Sequence, residues 1–252
     1  MISTRHALVT GGGSGVGRAI ALSLAEAGIA VTICGRRREP LAEVASLNEN
    51  ILAGTADITD EAAVAALYQK AEATRGPFDI VVATAGMSGS APAHRTTLAD
   101  WQDTIHVNLT GTFITVRPAL AGMAARGRGR IVFVASTAGL KGYAYVAPYV
   151  AAKHGVVGLM RALAAETAKS GVTVNAVCPG FVETDMLADS IKRIVDRTGR
   201  SEDDARKTLA STNPQGRFVQ PEEVAAAVLW LCGEQAGSIT GQAISISGGE
   251  TW

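Results

Sequence analysis

Short apolar runs alternate along this chain with longer stretches patterned at helical spacing, and the first such pair is joined by Thr10-Gly11-Gly12-Gly13-Ser14-Gly15-Val16-Gly17. Alternation of this kind builds parallel strands linked by right-handed helical crossovers. The strands read from the sequence are Arg5–Thr10, Ala30–Gly35, Ile51–Ala56, Asp79–Ala83, Arg130–Ser136, Val172–Val177 and Gln242–Ser247. The helices are Gly15–Ala27, closed by Gly28, then Pro40–Leu47, Glu61–Thr74, a long Leu98–Ala125 that must accommodate Pro118, Pro148–Lys169 and Glu222–Cys232. The expected fold is α/β, one doubly wound parallel sheet over residues 1–252, with ligands at the carboxyl ends of its strands. The least regular stretch is Gly180–Gln220, whose charged centre Ile191–Leu209 lies between Pro179-Gly180 and Pro214-Gln215-Gly216. It reads as a helical lid inserted near residues 183–215, although an ordinary surface excursion would have the same composition.

The glycine-rich turn sits where a strand hands over to a helix. Glycines let the backbone approach a pyrophosphate, and the helix start offers free N–H groups and partial positive charge. Gly-x-Gly-x-x-Gly does not fit, because counting from Gly11 its last position is Val16; the spacing is Gly11, Gly15, Gly17. Gly11, Gly13, Ser14, Gly15, Val16 and Gly17 are the expected phosphate cradle. An acid at the end of the second strand would bond a ribose 2′-hydroxyl. This chain has Cys34-Gly35-Arg36-Arg37-Arg38 there instead. Arginine suits a phosphate, so NADP(H) is favoured over NAD(H), with Arg36 leading and Arg37 beside it. Asp57, followed by Ile58, is placed either to bond the adenine or to cap the next turn.

Composition narrows the rest. With 252 residues, 47% of them hydrophobic, the chain can bury one sizeable core. Lys+Arg 23 balance Asp+Glu 23, which gives no basic excess for nucleic acid or an anionic membrane. No apolar stretch reaches the roughly 18 residues that span a bilayer, and no leader opens the chain. Cys34, Cys178 and Cys232 are odd in number, lie in apolar runs and read as reduced thiols, which points to the cytoplasm. No His/Cys/acid cluster has metal-ligand spacing, so no catalytic metal is expected.

Chemistry concentrates in Asn108, Ser136, Tyr149 and Lys153. Tyr149 and Lys153 are i and i+4 on a helix and share a face. An ammonium beside a phenol favours phenolate and lowers a pKa that starts near ~10. Ser136, at the end of an apolar run, is placed to hydrogen-bond a substrate oxygen. A Tyr-x-x-x-Lys pair alone is common, a serine there is also an ordinary cap, and an asparagine such as Asn108 also bonds backbone. It is their order behind a phosphate loop that points to hydride and proton transfer at a carbonyl.

Together Thr10-Gly11-x-x-x-Gly15-x-Gly17, Asn108 in Val-Asn-Leu-Thr-Gly, Ser136, Tyr149-x-x-x-Lys153 and Pro179-Gly180-Phe181-Val182-Glu183-Thr184 resemble the short-chain dehydrogenase/reductase family, a Rossmann-type fold, over the whole length. One departure is Ala83-Thr84-Ala85-Gly86 where the family usually has Asn-Asn-Ala-Gly; Thr84 can still hydrogen-bond, and Ala85 and Gly86 stay at the cofactor. The resemblance implies Tyr149 as general acid in reduction and base in oxidation, and Lys153 at the nicotinamide ribose. It implies Ser136 on the substrate oxygen and Asn108 holding a relay water. It implies Pro179, Gly180, Val182 and Thr184 at the cofactor, with Val182 and Thr184 on the carboxamide. It also implies a homotetramer.

Tyr149–Gly158, Asn175–Thr184, Gly216–Val224 and Ser245-Ile-Ser-Gly-Gly resemble bacterial 3-ketoacyl reductases and polyketide ketoreductases. Substrate contacts are expected from Ser88, His94, Ala138, Tyr143, Val146, Phe181 and Met186, mostly apolar. His94 stands in a polar loop beside Arg95, where a solvated histidine is the plainer reading. The leading expectation is reduction of a ketone, of 3-ketoacyl type, by NADPH. An NAD-dependent secondary alcohol dehydrogenase and a cofactor-binding regulator without chemistry are the competing readings.

Overall fold

The computed structural model describes residues 5–251. At its centre is a seven-stranded sheet in the order β3-β2-β1-β4-β5-β6-β7, with every pairing parallel. The strands are β1 (His6–Thr10), β2 (Ala30–Gly35), β3 (Ile51–Thr55), β4 (Ile80–Ala83), β5 (Gly129–Val134), β6 (Val172–Pro179) and β7 (Ala243–Ile246). The helices are α1 (Gly15–Glu26), α2 (Arg38–Ser46), α3 (Glu61–Arg75), α4 (Leu98–Ile105), α5 (Gly111–Ala125), α6 (Ala147–Thr167), α7 (Asp185–Thr198), α8 (Glu202–Ala210) and α9 (Pro221–Cys232). No helix among the described residues is long and apolar enough to cross a membrane.

The β1, β4 and β6 strands are buried along their whole length. Buried parallel strands need apolar side chains on both faces, and the two-residue period divides them between two cores. Leu8 of β1 joins Val81, Phe133, Val116, Met123, Val156 and Met160 under α3, α5 and α6. Its neighbours Ala7 and Val9 join Ile33, Val82, Ile20, Leu24, Leu41 and Val228 under α1, α2 and α9. The strand order reverses between β1 and β4, so the segments leaving these two strands diverge and open a crevice there.

Three elements depart from the sequence reading. The segment Leu98–Ala125 is not one regular helix: His106–Thr110 runs as a π turn between α4 and α5. Within α5, Pro118 is tolerated, because Val116, Ala119 and Met123 are buried and hold the helix together by packing. β5 stops at Val134, and Ser136 instead caps the 3₁₀ turn Thr137–Gly139, its Oγ accepting the Ala138 N–H at 3.1 Å. The charged stretch Ile191–Leu209 breaks into α7 and α8 at Gly199, whose φ of +68° closes a helix as few L residues can.

The α7–α8 insertion carries a small core of its own, Leu187, Ile191, Ala205 and Phe218. Arg206 pairs with Glu183 through bonds of 2.8 and 2.6 Å. Val219 bonds the Phe181 carbonyl, and Arg197 reaches across to the Ser90 carbonyl at 2.8 Å. The first two contacts brace the insertion on itself, and the third ties α7 to the segment after β4.

Candidate active site

A cleft of about 1260 Å³ opens along the carboxyl ends of the strands. It exceeds the usual small-molecule pocket of about 300–1,000 Å³, with room for a dinucleotide and a second ligand. At one end lie Gly11, Gly13, Ser14, Gly15, Val16 and Gly17. The turn is tight enough to demand glycine: a Cβ at Gly17 would come within 2.3 Å of the Gly11 carbonyl oxygen. The Ser14 hydroxyl makes no capping bond to α1, which leaves the helix start available to an anion.

Neighbouring strand ends complete this half. Gly35 ends β2, and Arg36 and Arg37 follow it; Asp57 and Ile58 follow β3; Ala85 and Gly86 follow β4. Both arginines are exposed. Asp57 accepts the Thr59 N–H at 2.9 Å and the Thr59 hydroxyl at 2.7 Å, bonds that hold its carboxyl below the usual range. Capping its own turn is thus one of its tasks, through Oδ1. Thr10 Oγ1 accepts the Thr84 and Ala85 N–H groups at 3.0 and 3.2 Å, joining β1 to the segment after β4. The Thr84 hydroxyl itself is buried without a partner among the described residues, so its capacity to hydrogen-bond is unused within them.

At the centre of the cleft stand Ser136, Tyr149 and Lys153. α6 carries the last two on one face, with Lys153 Nζ 5.6 Å from the centre of the Tyr149 ring. Lys153 Nζ donates to the Val134 carbonyl at 2.9 Å. Burial draws its pKa down to about 8, and burial also pushes the Tyr149 phenol up, with Ser136 opposing. One of the three Lys153 N–H donors is thus used on β5, and the other two remain for the cleft. The Ser136 Oγ accepts from Ala138, so its own proton is still available to the cleft.

Asn108 is fully buried and not part of the cleft wall. Its Nδ2 donates to Met87 O and Thr104 O, both at 2.9 Å, and its Oδ1 accepts Met87 N–H at 3.2 Å. Taking the Thr104 carbonyl with a side chain goes with the π turn that follows. Both amide donors are used on backbone, so this side chain has none left for a water. Its visible effect is to fix the segment after β4; a Cβ at Gly86 would meet Oδ1 at 2.7 Å.

The far half is lined by Ser88, Ala138, Tyr143, Val146, Phe181 and Met186, and Pro179, Gly180, Val182 and Thr184 bridge the two halves. His94 is set apart: it lies exposed on a 3₁₀ turn, outside the cleft wall. The sequence reading missed Met87, Tyr145, Thr137, Arg193 and Arg197, all of which line the cleft. Tyr145 has φ +68°, the only non-glycine in that region among the described residues, and no local signal announces it. The three cysteines are free and buried; burial pushes Cys34 and Cys232 up to about 12 and Cys178 to about 11, so they are inert thiols. No group of three or more metal-ligating side chains occurs among the described residues.

The family model for short chain dehydrogenase matches residues 5–194. A protein of Streptomyces coelicolor assigned as a ketoacyl reductase is 42% identical, over 96% of this chain and 95% of its own. The acetoacetyl-CoA reductase of Shinella zoogloeoides is 36% identical over 98% of both chains. A crystal structure of a variant actinorhodin polyketide ketoreductase with NADPH superposes with a TM-score of 0.95 at 39% identity, covering 98% of this chain and 97% of the other. The chain belongs to the short chain dehydrogenase family, and is an oxidoreductase acting on hydroxyl or keto groups.

Proposed function

We propose that this enzyme reduces a ketone on a hydrophobic body, of the 3-ketoacyl type, with NADPH. The observation that carries the reading is the convergence of Ser136, Tyr149 and Lys153 in one cleft beside the glycine cradle. A nicotinamide dinucleotide fits the residues present: side-chain-free glycines and an uncapped helix start suit its pyrophosphate, and Lys153 and Thr184 flank the inner end. Arg36 and Arg37 favour a 2′-phosphate, and no acid stands between Gly35 and Arg38 to bond a free 2′-hydroxyl. When bound, the nicotinamide supplies the hydride, and its oxidised ring adds a positive charge that favours phenolate.

The chain's own residues supply the proton and the placement. Ser136 donates its hydroxyl to the carbonyl oxygen and aligns it. Tyr149 gives its proton to that oxygen as negative charge develops, a contribution of about 10²–10⁴-fold for a placed general acid. Lys153 holds positive charge behind the phenol and reaches the ribose hydroxyls. Asn108 acts at a distance, keeping the Met87 segment and Gly86 where the inner end of the cleft needs them. The apolar side chains Ala138, Val146, Phe181 and Met186 receive the substrate body. In oxidation the same groups run in reverse.

We further infer a homotetramer in the cytoplasm. Exposed Trp101 and Phe113, on α4 and α5, and the buried free thiols support these. Binding titrations of NADPH and NADH, with turnover of a short 3-ketoacyl thioester by each, test the central reading. Preference for NADPH with turnover is expected. Preference for NADH, with oxidation of secondary alcohols, overturns it in favour of a catabolic dehydrogenase.

A further inference from the structure

A carboxylate that the reaction does not use lies behind the substrate half of the cleft. Glu250 follows β7 on a segment bent back by Gly248, with φ +62°, and Gly249, with φ +95°. That segment is pressed against the exit of the lid: Asn213 Oδ1 lies 2.0 Å from where a Gly248 Cβ would stand, and Pro214 packs beside Gly249. The Glu250 side chain is 1% exposed. Its Oε1 accepts the Tyr143 hydroxyl and lies 3.2 Å from Lys141 Nζ, whose own side chain is 40% exposed. Among the described residues its Oε2 has no partner, and it closes the space beside Gly180, where an added Cβ would come to 3.0 Å. Tyr143 Oη also lies 2.6 Å from Thr137 Oγ1, next to Ser136 in the chain. A phenol has one proton, and a carboxylate is the stronger acceptor, so Thr137 donates back to Oη.

A buried carboxylate with an orphaned oxygen and one half-exposed cation is a poor device for stability alone. What it does achieve is to occupy the hydroxyl of a ring that lines the cleft. We propose that Glu250 is a positioning residue for substrate selection: by engaging the Tyr143 hydroxyl it turns the ring, rather than the phenol, toward the substrate body. The proposal rests on the ketoreductase reading of the cleft. It makes the segment after β7 part of the substrate wall although it never enters the cleft. It also couples that wall to the lid through Asn213 and Pro214.

The test pairs kinetics with a tyrosine titration in wild type, Glu250→Gln, Glu250→Ala, Tyr143→Phe and the double variant Glu250→Ala/Tyr143→Phe. Absorbance titration, with Tyr143 assigned by difference from Tyr143→Phe, reads the bond itself without any substrate. Tyr143 is expected to titrate at lower pH in Glu250→Gln, since burial and then Glu250 hold its phenol above the ordinary range. With cyclohexanone and a short 3-ketoacyl thioester, KM should rise about fivefold or more in Glu250→Ala, with kcat within twofold and NADPH affinity unchanged, the pattern of lost uniform binding. In the Tyr143→Phe background the same change should do nothing further, because the two residues act as one unit. An unshifted titration overturns the bond. A shifted titration with unchanged KM, or a KM effect that simply adds to that of Tyr143→Phe, overturns the positioning role. If wild type reduces neither ketone, the functional reading falls and the selectivity claim with it, while the titration still decides the bond.

Discussion

Lys153 places its ammonium 2.9 Å from the carbonyl oxygen of Val134, the last residue of β5, and so ties α6 to the strand that leads into Ser136. The group is almost fully buried, and burial lowers its pKa from 10.5 to about 8. A depressed lysine means that the unfolded chain holds the proton more tightly than the folded one. Stability is therefore lower at neutral pH and recovers as pH rises from about 8 toward 10.5. The shift corresponds to about 3 kcal/mol, against which stands about 1–3 kcal/mol for leaving the Val134 carbonyl unpaired. Lys153→Met should be no less stable than wild type at pH 7 and should lose nearly all turnover. A thermal melt beside an assay checks both, and a lower Tm would contradict the account.

Tyr149→Phe removes the proposed proton donor and leaves the ring in place. Turnover should fall about 10²–10⁴-fold while NADPH binding stays within about twofold. In wild type, ketone reduction should decline as pH rises through about 8, where Lys153 loses its charge. A pH–rate profile for ketone reduction checks this.

Arg36 lies on the cleft at the end of β2, with no carboxylate between Gly35 and Arg38. A charge-assisted bond to phosphate is worth about 1.5–3 kcal/mol. Arg36→Ala should weaken NADPH about tenfold or more and leave NADH nearly unchanged, as read by fluorescence quenching. An equal loss for both cofactors would remove Arg36 from the phosphate.

His6 is buried in β1, with Nδ1 2.8 Å from the Gly76 carbonyl and Nε2 2.9 Å from the Thr32 hydroxyl. Nδ1–H donates to the carbonyl and Nε2 accepts from the hydroxyl, which suits a neutral ring. Burial holds its pKa below 6.5, outweighing the nearby Asp79. The unfolded chain then binds the proton first, so stability is full above about 6.5 and drains as pH falls through the folded value. Melts across that range should show a steeper acid loss in wild type than in His6→Gln.

Thr84 Oγ1 is buried with no partner among the described residues. Replacing an unpaired hydroxyl by a methyl of the same shape removes a desolvation cost of about 1–3 kcal/mol. Thr84→Val should raise the Tm of the cofactor-free enzyme. If NADPH affinity also drops, the hydroxyl has its partner in the cofactor; an unchanged Tm would mean that the orphan is solvated.

Local information was enough for the sheet. Apolar runs such as Ile80–Ala83 and Val172–Pro179 need burial on both faces, and the helices between them carry one apolar stripe each, so a parallel doubly wound order follows from pattern alone. The glycine turn was legible because Gly17 cannot carry a Cβ there, and Tyr149-x-x-x-Lys153 because a helix puts i and i+4 on one face.

Tertiary structure decided what each side chain had left to give. Asn108 was visible as a motif, but only the fold brings Met87 to it across 21 residues and uses up its amide. Lys153 was visible too, yet its carbonyl partner lies 19 residues away on β5, and the burial that sets its charge is a property of the closed core. Glu250 had no signal at all, since Tyr143 and Lys141 stand more than a hundred residues earlier. A sequence reports periodicity and local geometry; competition for hydrogen bonds and the loss of solvent arise only when distant segments meet.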